Sequence, residues 1–213
     1  MNGVVPAILI SIASAASFPA AGLAESPTFD CARAQGEVEE LICADASLAA
    51  LDRRLDQVYR EAMAKADGRL VTELRQAQRG WVEGRNDCWK ANEKTWITAT
   101  WTVYTVKDCI EAQYRLRTSE LQALWRLVLA KTVPYVCQDN PANEVVANFF
   151  ETDPATIRLE RGDRTVTMWQ VGAVGEGKYE GQNVSLVHNG NGVRVSWLDT
   201  DTGKTEELQC NAR

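Results

Sequence analysis

Histidine is almost absent from this 213-residue sequence, which contains a single one, His188. A lone histidine excludes zinc sites built on histidine pairs and argues against a Ser-His-Asp catalytic triad. The sequence also lacks a phosphate-binding P-loop, a dinucleotide-binding glycine motif and the HExxH motif of zinc proteases. Carboxylates are plentiful, but no sequence context singles out two of them as a glycosidase pair. We therefore expect a protein that is not an enzyme and that uses no cofactor or metal.

An excess of positive charge is also missing, since the net charge at pH 7 is −6. Residues 25–131 hold 17 acidic and 16 basic side chains, whereas residues 132–213 hold 12 acidic and 7 basic ones. An acidic surface binds nucleic acid poorly, because phosphate binding needs cations. The acidic second half suits a basic protein partner, although mild acidity also serves solubility alone. The expected partner is a protein, and the sequence leaves the oligomeric state open.

The apolar stretch at residues 4–23 is short and rich in alanine and serine, which argues against a permanent membrane span. No Lys or Arg precedes it, which is unusual for a signal peptide. Gly22-Leu23-Ala24 nevertheless offers small residues at the −3 and −1 positions of a signal-peptidase site. We predict a signal peptide over residues 1–24, cleaved near Ala24, with a retained anchor as the alternative. No stable membrane span is expected after cleavage.

Six cysteines, an even number behind an export signal, indicate disulfides formed in an oxidising compartment. An Ala/Leu/Arg-rich first half contains Cys31, Cys43, Cys88 and Cys109, and a Val/Thr/Gly-rich second half lies between Cys137 and Cys210. This layout predicts two disulfide-stapled domains, over residues 25–131 and 132–213. The first four cysteines allow three pairings. Cys31–Cys43 and Cys88–Cys109 are preferred weakly, because each would close a modest loop. No Cys-x2–4-Cys pair is present among these four to favour zinc.

Apolar residues recur at helical spacing in the first half. One stripe consists of Leu48, Leu51, Leu55, Val58 and Ala62, with Asp45 as its expected N-cap. A second stripe runs from Leu70 through Leu74, Ala77 and Trp81 to Cys88, and a third runs from Ile110 through Tyr114, Arg117, Leu121 and Leu124 to Val128. Residues 38–43 read as a short extra helix, and residues 89–106 as an irregular connection or a short hairpin. The first half is therefore predicted to be a small helical bundle.

The pattern changes after Pro134, because proline cannot continue a helix. Short β-branched or alternating runs follow, at residues 145–150, 156–160, 165–169, 184–187, 193–198 and 206–210. Turn signals such as Asn189-Gly190 and Thr202-Gly203 separate these runs. Short strands at this spacing predict an antiparallel barrel or sandwich. A Cys137–Cys210 bridge would tie the first strand to the last, so we predict an α+β protein in two domains, with a small β-barrel at the C-terminus.

The first half resembles a known family. Phe29-Asp30-Cys31-Ala32, the run 38–43 ending in Cys43, Leu74 to Trp81, and Arg85-Asn86-Asp87-Cys88 look like the LprI-like N-terminal domain of bacterial envelope proteins. The family takes its name from a lysozyme-inhibiting lipoprotein, and membership by itself implies little about activity. Its polar and aromatic marks here are Asp30, Asp52, Arg79, Trp81, Arg85 and Asp87. Capping, ion pairing and core packing are the preferred roles for these residues, and partner binding is the alternative.

The second half is similar to membrane-bound lysozyme inhibitors of c-type lysozyme (MliC-type). The resemblance rests on Tyr135-Val136-Cys137, a glycine-rich loop ending Gly177-Lys178-Tyr179, a turn at Asn189-Gly190, and Cys210. It implies a small antiparallel barrel that inserts a loop into a lysozyme cleft. The lysozyme-binding loops it implies comprise Ala173, Val174, Gly175, Glu176, Gly177, Lys178 and Tyr179, with His188, Asn189 and Gly190. His188 itself reads as a solvated turn residue.

This chain departs from the family at the loop positions that matter most. Ala173 and Gly175 replace the two family serines, and Asn189 replaces the family lysine. Glu176 would repel the lysozyme carboxylates, and Lys178 would compensate if the loop shifts. The expected function is that of a periplasmic or secreted bacterial lysozyme-inhibitor-like protein that blocks a c-type lysozyme cleft. The alternative is an envelope interaction or structural protein that has lost this inhibition.

Overall fold

The computed structural model describes residues 25–91, 95–98, 101–103, 105–172, 175–200 and 202–213. The predicted signal peptide over residues 1–24 lies outside this part of the chain. A helical domain is followed by a closed antiparallel β-barrel, which confirms the predicted α+β class. In the described part of the chain, no helix is both long and apolar enough to cross a membrane.

Among the described residues, four helices build the N-terminal domain: α1 (Gly36–Ala44), α2 (Ala46–Lys65), α3 (Gly68–Asn86) and α4 (Val106–Leu124). Short 3-10 turns lie at Cys31–Arg33 and Asp87–Lys90. Strands β1 (Thr95–Thr98) and β2 (Trp101–Val103) pair as an antiparallel hairpin between α3 and α4. Of the two structures expected for residues 89–106, the hairpin is therefore the one observed.

Helix α2 begins where its N-cap predicts. The Asp45 carboxylate accepts hydrogen bonds from the backbone N–H groups of Ser47 at 2.9 Å and Leu48 at 3.2 Å. These bonds satisfy donors that have no partner within the helix. Leu48, Val58 and Ala62 of the predicted stripe are fully buried. The stripe packs mainly against α4, whose Ile110 and Tyr114 are also fully buried.

The other two stripes are buried less completely than predicted. Leu70 and Leu124 are each 43% exposed, and Ala77 is exposed as well. Of the second stripe, Leu74 and Cys88 belong to the core, at 6% and 2% exposure. Periodicity identifies the apolar face of a helix but not how much of that face another element covers.

The structure joins Cys31 to Cys43 and Cys88 to Cys109 within the helical domain. The first bridge ties the opening 3-10 turn to α1. The second ties the segment after α3 to the first turn of α4. A third bridge joins Cys137 to Cys210 in the barrel. All six cysteines are therefore paired.

Eight strands close the barrel: β3 (Leu129–Cys137), β4 (Asn140–Phe150), β5 (Thr156–Arg161), β6 (Arg164–Val171), β7 (Lys178–Gly181), β8 (Val184–Asn189), β9 (Gly192–Asp199) and β10 (Lys204–Ala212). Each strand pairs antiparallel with its sequence neighbour, and β10 pairs with β3 to complete the ring. Cys210 lies opposite Cys137 in that last pairing, so the disulfide joins the two strands that close the barrel. Since β3 starts at Leu129, the boundary between domains at residues 131 and 132 stays a prediction.

The inward residues of the strands form the barrel core. Leu159, Met168, Leu186, Val195 and Leu208 are all fully buried and belong to one apolar cluster. They alternate with outward residues along each strand, as expected for a half-buried sheet. Strand β7 is not among the predicted runs, and β3 is expected from the sequence only as the first strand, at Cys137. Pro134 lies inside β3, where it pairs with Val146 of β4.

The helical domain packs on the outer face of β5 and β6 through α4. The Trp169 indole N–H donates to the Ser119 hydroxyl at 3.0 Å. Arg126, just after α4, pairs with Glu160 at 2.9 Å, and Arg115 pairs with Asp153. These contacts hold the two domains together on one side of the barrel.

Candidate partner-binding mouth of the barrel

The two predicted binding loops are neighbours at one end of the barrel. One joins β6 to β7, and the other is the tight turn from β8 to β9. They lie side by side because β7 pairs with β8, with Lys178 opposite Val187. The His188 N–H donates to the Gly177 carbonyl at 3.0 Å, beyond the last strand pair. We call this end the barrel mouth, comprising Gly172, residues 175–179 and 188–192, Lys131 and Phe149. Ala173 and Val174 lie outside the described residues.

Two glycines determine the path of the first loop. Gly175 has φ +95° and Gly177 has φ +64°, backbone conformations that L side chains rarely adopt. A Cβ on Gly177 would also approach the His188 ring to 2.9 Å. Gly177 therefore allows the two loops to touch. A serine at position 175, as in the family pattern, would be strained in this conformation.

Glu176 and Lys178, the charged residues of the first loop, both contact other parts of the barrel. The Lys178 ammonium lies 2.6 Å from the Glu180 carboxylate on the same strand. The Glu176 carboxylate folds back over Gly172, where a Cβ would collide with it. Lys178 thus already has an ionic partner within the barrel. The predicted compensation by Lys178 would require this pair to separate.

The mouth contains a cluster of aromatic rings. The Phe149 ring lies 6.2 Å from the Tyr179 ring and 6.1 Å from the His188 ring, measured between centroids. The Lys131 ammonium lies 4.7 Å from the Phe149 ring centroid, a cation–π distance. Partial burial, and secondarily the charge of Lys131, lowers the pKa of His188, which favours neutral imidazole near neutral pH. Burial raises the pKa of Tyr179, so its phenol stays protonated.

Sequence reasoning placed His188 and Tyr179 at this site but missed Lys131 and Phe149. Lys131 is exposed, but it lies two residues before Val133 in the alternation that ends in the buried Tyr135 and Cys137, and this period was the available signal. The predicted domain boundary places residue 131 in the helical domain, so the sequence pattern does not assign Lys131 to the barrel. Strand β3 begins before that boundary and carries the lysine to the mouth.

Apart from the mouth, a cavity of about 540 Å³ lies in the helical domain. Asp52 and Arg85, two marks of the LprI-like pattern, line it and are 7% and 4% exposed. The Tyr114 hydroxyl joins them, donating to Asp52 at 2.8 Å and accepting from Arg85 at 2.8 Å. Asp52 also accepts 2.6 Å bonds from the N–H and hydroxyl of Thr28. Burial raises the pKa of Tyr114, which keeps this hydroxyl protonated as a donor.

These contacts favour structural roles for most of the LprI-like marks. The Arg85 guanidinium lies 5.7 Å from the Trp81 ring centroid, and Asp30 caps the first 3-10 turn. Asp87 pairs with Lys90 at 2.7 Å on the surface. Arg79 is exposed and lines a shallow groove beside the cavity. Across the described ranges, no group of three His, Cys, Asp or Glu side chains is arranged to hold a metal ion.

Comparisons with known proteins confirm both resemblances. Residues 31–121 match the family model described as lysozyme inhibitor LprI. Residues 135–203 match the model described as membrane-bound lysozyme-inhibitor of c-type lysozyme. Proteins named Lipoprotein LprI, from Mycobacterium tuberculosis and Mycobacterium bovis, are 27% identical over 203 residues, which covers 92% of this chain and 93% of theirs. No solved structure matches the chain.

Proposed function

We propose that this chain, an LprI domain joined to an MliC-type domain, is an extracytoplasmic protein that inhibits c-type lysozymes. Both matching family models are described as lysozyme inhibitors, and the relatives align through both domains. The observation that carries the proposal is the barrel mouth, where two exposed loops lie in contact on a rigid barrel. Such a paired projection has the form needed to enter an enzyme cleft.

The proposed mechanism is occlusion without chemistry. C-type lysozymes cut glycans with two carboxylates that flank the scissile bond. Loops 172–177 and 189–191 would fill that cleft and exclude the glycan, so the inhibitor acts as a binding protein. The closed barrel and its bridge fix the strand ends from which the loops start, which lowers the entropy lost on association.

Export fits this role, because the lysozyme would be met outside the cytosol. Three disulfides, covering all six cysteines, are typical of proteins from oxidising compartments. The relatives are named lipoproteins, and the MliC description includes membrane binding. We propose an envelope location, reached through the signal peptide expected over residues 1–24.

Lysis of bacterial cell walls by a c-type lysozyme, measured against increasing concentrations of the purified full chain, tests the proposal. We expect the lysis rate to fall to zero in a dose-dependent, saturable manner. If micromolar protein leaves the rate unchanged, lysozyme is not the target. The chain would then be an envelope interaction module that has lost inhibition.

Asn189→Lys tests the position of the second loop. Asn189 is exposed at the end of β8, and restoring the family lysine there needs no positive φ. We expect inhibition to strengthen by about tenfold, since a charge-assisted bond to a carboxylate is worth roughly 1.5–3 kcal/mol. Gln182→Lys adds the same charge at the exposed β7–β8 turn, at the opposite end, and serves as the control. Equal gains from both variants would contradict the assignment of the mouth.

A further inference from the structure

We propose that Lys131 supplies the cation that the barrel mouth presents to the carboxylates of the lysozyme cleft. This inference rests on the proposed function and adds a residue to its site. The family lysine position is occupied here by Asn189, so the second loop has no cation of its own. Lys131 lies on β3, far along the chain from either loop, and reaches the same mouth through the barrel fold.

The position of Lys131 follows from a chain of contacts. Lys131 lies opposite Phe149 in the pairing of β3 with β4. Its ammonium lies 4.7 Å from the centroid of that ring, which in turn lies 6.1 Å from the His188 ring. The His188 N–H is bonded to Gly177 of the first loop. Lys131 therefore lies beside the loops that would enter the cleft.

Lys131 is also available for a partner. Its side chain is exposed, and in the parts of the chain that are described no ion pair is seen for it. The other lysine of the mouth, Lys178, is tied to Glu180 at 2.6 Å. Lys178 would have to leave Glu180 before it could bind a carboxylate of a partner, which costs interaction energy. Lys131 has no such ion pair to break among the described residues. A carboxylate can thus bind Lys131 without breaking an internal salt bridge.

The neighbours of Lys131 keep its ammonium at the barrel mouth. Strand β10 pairs with β3 only at residues 135–137, so Lys131 has a strand partner on the β4 side alone. The Phe149 ring supports the side chain by a cation–π contact, which orders it before binding. A cation that is ordered in advance loses less conformational entropy when it meets a carboxylate. Acidic side chains outnumber basic ones in residues 132–213, so the Lys131 ammonium is a positive charge beside a mainly acidic domain.

The test measures the affinity of the full chain for a c-type lysozyme by calorimetry. Lys131→Met keeps the aliphatic stem and removes the charge, and Lys131→Arg keeps the charge. Lys204→Met removes the same charge from the exposed start of β10, at the far end of the barrel. We expect at least a tenfold loss of affinity for Lys131→Met, less than twofold for Lys204→Met, and near wild-type affinity for Lys131→Arg. The loss should shrink as ionic strength rises.

A second lysozyme, with its two catalytic carboxylates changed to amides, completes a double-mutant cycle. We expect wild type and Lys131→Met to bind this lysozyme within twofold of each other. If the tenfold loss persists, or if Lys131→Met never weakens binding to the native lysozyme, the role of Lys131 is wrong while inhibition stands. If the wild-type chain neither binds nor inhibits native lysozyme, both proposals are wrong.

Discussion

Replacing Tyr114 with phenylalanine removes one hydroxyl from the centre of the helical domain. Tyr114 is fully buried, and its hydroxyl bonds both Asp52 and Arg85 at 2.8 Å. The substitution leaves one carboxylate oxygen without its donor and one guanidinium nitrogen without its acceptor. A hydrogen bond to a charged group contributes roughly 1.5–3 kcal/mol, so losing two of them should cost about 3 kcal/mol or more.

Denaturant and thermal unfolding of the full chain, with disulfides intact, measure this cost. We expect the melting temperature of the helical domain to fall by more than about 10 °C, since 1 kcal/mol shifts a domain of this size by roughly 4–8 °C. Tyr59→Phe is the matched control. Tyr59 lies on α2 beside the same cavity, and its hydroxyl has no hydrogen bond to another described residue. We expect that control to change stability by less than about 0.5 kcal/mol.

The cavity beside the Tyr114 hydrogen bonds offers another outcome for Tyr114→Phe, in which water takes the place of the lost hydroxyl. Asp52 and Arg85 both line its 540 Å³ of space, which gives water a route to the two side chains. If Tyr114→Phe costs less than about 1 kcal/mol, water replaces the hydroxyl and the buried network is not what stabilises the domain. Asp52 and Arg85 would then be open to solvent, and a binding role for this cavity would regain support.

Two further predictions concern stability. The pKa of the Asp45 carboxyl lies well below its usual range. The main cause is the hydrogen bond from the Lys107 ammonium, 2.5 Å away, and the N-cap bonds lower the pKa further. This stabilisation is present above about pH 4 and is lost as the pH falls below that value. We expect Asp45→Ala to cost about 1 kcal/mol at pH 7, Asp45→Asn to cost less because it keeps the cap, and both deficits to narrow in melts at pH 3. Removing the Cys137–Cys210 bridge, whose sequence separation is 73, should cost about 4 kcal/mol, against about 3 kcal/mol for Cys31–Cys43, with a separation of 12. Paired Cys→Ala variants compared by denaturant unfolding would contradict this if the shorter loop proved the more costly to open.

Local features of the sequence determine where the helices and strands of the two domains begin and end. Asp45 starts α2 because its carboxylate bonds nearby N–H groups, an interaction within a few residues. Turn pairs such as Asn189-Gly190 separate strands for the same local reason, since Gly190 has φ +61°. Period, caps, turns and cysteine spacing therefore predicted the helical domain and the barrel, whereas the resemblance to the MliC-type family indicated the loops of the mouth.

Tertiary structure decided which residues meet across the chain. The closed barrel brings Lys131 and Phe149 to the mouth beside His188, because β3 and β4 curve round to face β8 across the barrel interior. Likewise, Tyr114 reaches Asp52, at a sequence separation of 62, only because α4 packs on α2. Sequence patterns report which face of an element is apolar and where it ends. They do not report which distant element covers that face, and so the lysine that the mouth presents became visible only in the fold.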